Sequence, residues 1–136
     1  MLLLVALLGL LLLTGTALAA DNPIKVSMQL SETEFTEPAE VTISIKISNS
    51  GDTDLPGPVK LFYPDDTAVE DFGEPVLAAG TSKSWTGTWK VTQEQLEEGK
   101  ITFRMTYSLN GDDGQAVNKT SHFSKPITYK GSVVSL

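Results

Sequence analysis

The chain contains no cysteine and a single histidine, His122. Without cysteine there is no disulfide, no thiol nucleophile, no zinc–thiolate cluster and no acylated lipoprotein cysteine. One histidine leaves little material for a transition-metal site, and neither a metal nor a cofactor is expected. Positive charge is scarce: ten Lys and Arg stand against seventeen Asp and Glu, a formal net charge of −7 over 136 residues. That balance argues against nucleic acid or an anionic lipid surface as partner, since both reward a basic face. Long apolar runs are also missing, with one exception. Residues 1–13 read MLLLVALLGLLLL, and the first twenty residues carry no charged side chain.

That run has the length of a signal-peptide core. Thr14-Gly15-Thr16 breaks it, and Ala17-Leu18-Ala19 places small residues at the −3 and −1 positions of a signal-peptidase cut. The pattern predicts a secretory signal over residues 1–19, cleaved between Ala19 and Ala20, so that the chain meets a membrane only during export. An uncleaved anchor is the alternative, because residues 1–20 are just long enough to span a bilayer. The short apolar core and the well-placed Ala-x-Ala favour cleavage. The basic residues that usually precede such a core are missing, so the α-amino group does that work alone or the start codon lies upstream. What remains after cleavage is one domain, residues 20–130, followed by a linker or tail, residues 131–136. A chain of that size buries enough surface for a core without covalent staples.

The exported part reads as strands. Ile24, Val26, Met28 and Leu30 alternate with Lys25, Ser27 and Gln29. Val41, Ile43, Ile45 and Ile47 alternate with Thr42, Ser44 and Lys46, and Ile101, Phe103, Met105, Tyr107 and Leu109 with Thr102, Arg104, Thr106 and Ser108. Period two puts one face of each run on a core and the other in water, as a half-buried antiparallel strand requires. Turn clusters separate further strands at 59–63, 83–91 and 115–123: Asn49-Ser50-Gly51-Asp52, Leu55-Pro56-Gly57-Pro58, Tyr63-Pro64-Asp65-Asp66, Ala79-Gly80-Thr81 and Asn110-Gly111-Asp112-Asp113-Gly114. Pro126 limits pairing of the last strand, with residues 127–129 continuing it after a bulge.

Residues 92–99 break the alternation. Thr92 with Gln95 three positions on is a capping box, and Gly99 is a stop signal. The reading is about one helical turn crossing between sheets, anchored by Leu96. About seven short strands with one crossover turn and no internal repeat make an all-β antiparallel sandwich.

Three stretches carry a resemblance: Glu37-Pro38-Ala39-Glu40-Val41-Thr42-Ile43, then Ile45-Lys46-Ile47-Ser48-Asn49-Ser50-Gly51, then Leu77-Ala78-Ala79-Gly80-Thr81 before the Trp85 strand. Together they resemble an immunoglobulin-like module of bacterial surface proteins, of the cell-adhesion-related and "conserved repeat" families related to fibronectin type III. The resemblance spans residues 24–129 and carries no chemistry. It implies an immunoglobulin-like sandwich acting as spacer or adhesion module, often one of several in a longer exported chain. The cysteine pair of antibody-type domains is absent, and Tyr107 lies too deep in its strand to match their tyrosine corner.

Four groups of residues invite a functional reading. Trp85 and Trp89 share a strand face with Gly87 between them, and paired indoles can stack on sugar rings. The opposite face, Ser84, Thr86, Thr88 and Lys90, is wholly polar, which assigns the tryptophans to the core and gives Gly87 the task of making room. Carboxylates at Asp52 and Asp54, at Asp65, Asp66, Glu70 and Asp71, and at Asp112 and Asp113 have the oxygen chemistry calcium takes, without a recognised spacing; turn residues are the plainer reading. His122 alternates with polar neighbours and sits in no nucleophile elbow, so no catalytic residue is assigned. The loops around Pro56-Gly57-Pro58 and Asp65-Asp66 are what a sandwich-type protease inhibitor would present.

The expectation is therefore a non-catalytic, exported, immunoglobulin-like module with a structural or adhesive role. Its partner would be an extracellular protein or glycan, met through loops or an exposed sheet edge. A carbohydrate-binding module using Trp85 or Trp89 and a protease inhibitor are the alternatives. The ending Lys130-Gly131-Ser132-Val133-Val134-Ser135-Leu136 reads as a linker toward further repeats of a longer chain.

Overall fold

A computed structural model describes residues 22–130. The leader, with its junction between Ala19 and Ala20, and the tail 131–136 lie outside the described residues. The alternating runs become eight strands: β1 (Ile24–Leu30), β2 (Glu34–Phe35), β3 (Glu40–Asn49), β4 (Lys60–Phe62), β5 (Ser82–Lys90), β6 (Lys100–Asn110), β7 (Ala116–Pro126) and β8 (Thr128–Tyr129). One antiparallel sheet has the order β1-β3-β5 and the other β4-β6-β7. The central strand of each supplies the middle of the core. Val41, Ile43, Ile45 and Ile47 of β3 and Ile101, Phe103, Met105 and Tyr107 of β6 are all buried. Their alternate neighbours stay polar, so the period-two pattern is that of a two-layer sandwich.

Helix α1 (Gln93–Glu98) carries the chain from β5 in the first sheet to β6 in the second. The capping box forms in both directions: the Gln95 N–H donates to Thr92 Oγ1 at 3.1 Å, and the Thr92 N–H to Gln95 Oε1 at 3.0 Å. Gly99 ends the helix in the left-handed conformation, φ 83°, which only glycine adopts at little steric cost. Leu96 is buried and holds the crossover to the core.

Two features depart from the alternation. The first is β2, which pairs parallel with β8 through Thr128 N–H to Thr33 C=O and Lys130 N–H to Phe35 C=O, each 2.7 Å. The sandwich thus has eight strands rather than about seven, and one parallel pair among antiparallel ones. At two residues β2 is too short to show a period, and Phe35 alone anchors it in the core. The second is the stretch between β4 and β5, which closes one flank of the sandwich without a strand. The Val69 N–H reaches Leu61 C=O at 2.9 Å, and the Val59 N–H reaches Pro75 C=O at 2.9 Å. A short 3-10 turn (Glu70–Phe72) then drives Phe72 into the core. This segment occupies the outer edge of β4, which is otherwise only three residues long.

Asn49 is the one buried polar residue of the described chain. Its Nδ2 donates to the carbonyls of Thr53 (2.8 Å) and Leu77 (3.2 Å), and its Oδ1 accepts from the Gly51 N–H (3.1 Å). Gly51 lies against Pro23, whose Cβ would stand 2.9 Å from any added Cβ. The Asn-x-Gly pattern is thus a staple joining the end of β3 to both neighbouring loops. At the two ends of the described chain, Asn22 donates to the Tyr107 hydroxyl near the β6–β7 hairpin, whereas Lys130 lies beyond the start of β6. The chain therefore enters and leaves the sandwich at opposite ends.

Candidate functional site

The β3–β5 ladder sets Ile45 opposite Trp85, Ile43 opposite Gly87 and Val41 opposite Trp89, so all three β5 residues face inward. Trp85 is 5% exposed, and its indole N–H donates to Asp71 Oδ1 at 2.9 Å. The Cε2–Cζ2–Cη2 side of its six-membered ring lies against Gly87. A Cβ there would come 2.8 Å from Cη2 and closer still to Cζ2. Gly87 thus makes room for one ring. Trp89 is half-buried and donates its indole N–H to Gln95 Oε1 at 2.9 Å, which ties it to the capping box of α1.

Between the two indoles stands Tyr63, a residue whose sequence position marks only a strand end. Its ring stacks on Trp89 (5.6 Å, 20°) and meets Trp85 edge-on (5.8 Å, 74°). Phe103 and then Phe123 extend the row across the second sheet, with centroids 6.0 and 6.2 Å apart. Such offset and edge-on contacts add to plain area burial. Burial pushes the Tyr63 phenol above its ordinary pKa, and the charges of Asp71 and Asp65 push in the same direction. The exposed part of Trp89 borders a hollow of about 280 Å³ whose polar lining includes Asp65, Thr92, Glu94, Gln95 and Glu98.

Five of the loop carboxylates do local work. Asp54 accepts from the Ala79 N–H (2.9 Å), Asp113 from the Gln115 N–H (3.0 Å) and Asp71 from Trp85. Asp65 accepts from the Thr67 hydroxyl (2.7 Å) and N–H (3.1 Å), and these bonds hold its carboxyl below the usual carboxylate range. Asp66 pairs with Arg104 at 2.9 Å, and the Arg104 guanidinium also lies 4.0 Å over the Phe62 ring. Among the described residues no group of three or more His, Asp and Glu side chains is placed to hold a metal. His122 is exposed, opposite Arg104 on the outer face of the second sheet. The Pro56-Gly57-Pro58 loop lies beside Ser108, whereas Asp65 lies beside Thr92 and Thr102, toward the other end of β6.

A sandwich in which Trp85, the staple asparagine and Asp54, Asp65, Asp71 and Asp113 serve the fold carries its family mark in the framework. Residues 22–118 match the model of the CARDB family. The chain belongs to the CARDB family. CARDB domains are immunoglobulin-like, non-enzymatic modules of the bacterial cell-surface type, which is the class the three motif stretches resemble. No curated protein matches the chain. Among solved structures, the Northeast Structural Genomics Consortium target SoR45 is similar at a TM-score of 0.39 and 15% identity, over 83% of this chain and 90% of its own. The sporulation control protein Spo0M of Bacillus subtilis is similar at 0.42 and 14%, over 80% of this chain and 51% of its own.

Proposed function

We propose that this CARDB chain is exported and serves as a non-catalytic spacer or adhesion module at the cell surface. The observation that carries the reading is the family match, which runs through residues 22–118 and so includes strands of both sheets. The apolar leader ending in Ala17-Leu18-Ala19 supports export. The side chains with chemical potential support a framework role, since Trp85, Asp71, Asp65 and Asn49 are engaged within the fold.

The test is to express the full chain with a C-terminal epitope in a bacterial host and to sequence the N-terminus of the product. Export with a mature end at Ala20, and epitope accessible outside the cell, is the expected result. Retention inside the cell with residues 1–19 attached would refute export. Beads coated with the mature chain should then be retained on cells or matrix proteins; indifference to every such surface favours the spacer role over adhesion.

A second reading has one observation in its favour. Trp89 keeps exposed ring surface at the rim of a hollow lined by Asp65, Glu94 and Glu98. A sugar stacking there would change indole emission, and the change would vanish in Trp89→Phe. An emission spectrum that ignores a panel of soluble glycans removes this reading.

A further inference from the structure

The two flanks of the sandwich are treated differently. On one, residues 67–77 run along β4 and bond its outer edge, while the 3-10 turn packs beside β5. On the other, β1 and β7 lie side by side in different sheets, each hydrogen-bonded to one neighbour only. β7 is eleven residues long, so this bare edge is among the longest features of the molecule.

The direction of its free groups follows from the ladder. Gly111 N–H donates to Gln115 C=O past one end of the β6–β7 pair, and Ile127 N–H to Gly99 C=O past the other. An antiparallel ladder alternates bonded and non-bonded pairs, so the bonded ones between these limits are Leu109 with Val117, Tyr107 with Lys119, Met105 with Ser121, Phe103 with Phe123 and Ile101 with Lys125. Asn118, Thr120, His122 and Ser124 therefore aim their N–H and C=O away from β6. Pro126 shares that phase, which is why a residue lacking an N–H is tolerated there. Among the described residues no hydrogen bond reaches those four amides.

Charge says what would fit. The chain carries −7 overall, yet β7 contains Lys119 and Lys125 with no acid, and β1 contains Lys25 with no acid. Neither ion pair of the described residues uses these lysines. Val117, on the inward side of β7, is 42% exposed, because the first sheet does not cover it. A second copy pairing through its own β7 would bring like charges together, as edge lysines commonly prevent.

We propose that the outer edge of β7 docks an extended acidic polypeptide segment, which adds as a strand beside Asn118, Thr120, His122 and Ser124. Main-chain bonds supply affinity in this mode, and the flanking side chains supply preference, here acidic residues against Lys119 and Lys125. This names the contact surface for the adhesive role and rests on that reading. The test uses purified protein, so its failure is separate from a failure of export.

The probe is a synthetic peptide as long as β7 that alternates valine and glutamate, compared with one that alternates valine and lysine, both titrated onto the mature chain. Expected are binding of the acidic peptide alone, weakening with added salt, and slowed amide exchange at Asn118, Thr120, His122 and Ser124. Thr120→Pro removes an outward N–H without touching the β6 ladder and should weaken binding by about tenfold or more. Lys119→Glu leaves the backbone intact and should reverse the preference between the two peptides, which keeps the test decisive if the proline variant misfolds. Equal binding of both peptides would overturn the proposal, as would undiminished binding by a folded Thr120→Pro. Edge amides already protected in the free chain, or a dimer that Thr120→Pro dissociates, would overturn it in favour of a different occupant. Binding of polygalacturonate that ignores Thr120→Pro, with no peptide binding, would assign the lysines to an anionic glycan instead.

Discussion

Replacing Gly87 by alanine is a small change whose sign depends on a single ring. Gly87 is not among the glycines with positive φ, so its backbone accepts alanine. In a strand interior that exchange would ordinarily stabilise by about 0.5–1 kcal/mol, because glycine loses the most freedom on folding. Here the new methyl group meets Cη2 of Trp85 at 2.8 Å. The ring has nowhere cheap to go: it is 5% exposed, bonded to Asp71 and packed edge-on against Tyr63. Overpacking of this kind costs about 1–3 kcal/mol. A shifted indole also gives up a hydrogen bond worth about 1 kcal/mol. The net expectation for Gly87→Ala is a loss of about 2 kcal/mol, which in a domain of this size lowers Tm by roughly 10 °C. Thermal and urea unfolding followed by indole fluorescence would measure it. In a Trp85→Leu background the obstacle is gone, and Gly87→Ala should become neutral or stabilising by about 0.5 kcal/mol. A Gly87→Ala variant as stable as the parent, with Trp85 intact, would refute the packing argument.

Other substitutions probe separate links. Asn49→Ala strands the Thr53 and Leu77 carbonyls and the Gly51 N–H in a buried place, at a cost of about 3 kcal/mol read as a lower urea midpoint with unchanged slope. Thr92→Ala removes the cap of α1 and should cost about 1 kcal/mol, with helix residues 93–95 losing amide protection first. Thr67→Val deletes the hydroxyl that contributes most to the lowered Asp65 carboxyl, so that carboxyl should rise toward its ordinary range in an NMR titration. A lowered carboxyl contributes stability that is present above the ordinary carboxylate range and lost as pH falls through its folded value. Thr67→Val should therefore flatten the acid limb of the stability profile slightly, the site being exposed.

What was legible in the sequence was whatever is local. The alternation from Ile24 to Leu30 coincides with β1, and the Thr92–Gln95 capping box with the start of α1, because strand faces and helix caps are decided by neighbours a few residues apart. The inward placement of Trp85 followed from the polar character of the opposite face. Tyr63 was not legible as the partner of both tryptophans, since its place between them arises from the meeting of two sheets. Phe72 and the strandless flank are of the same kind: only the exposed outer edge of β4 gives that segment a reason to lie where it does. β7 runs to Pro126 rather than to 123 because the phase of the ladder, invisible in composition, turns that proline away from β6. The functional reading stopped at the class of module for a related reason. Its loops and core hold residues that serve the fold, and the edge that is left bare is a property of topology.

Because Asn22 and Lys130 lie at opposite ends of the sandwich, a load applied between them would pass through the whole domain. A pull on both ends runs along the strand axes, so the β1–β3 ladder is loaded in shear, with its bonds sharing the force. The β2–β8 clamp stands in the same line but pairs only two residues on each strand, against seven in the β1–β3 ladder. It should part first, paying out the last few described residues while both sheets stay closed, and force spectroscopy would show a short, low step before the main rupture. The two-residue strand that breaks the antiparallel rule would then act as a mechanical fuse for the core behind it.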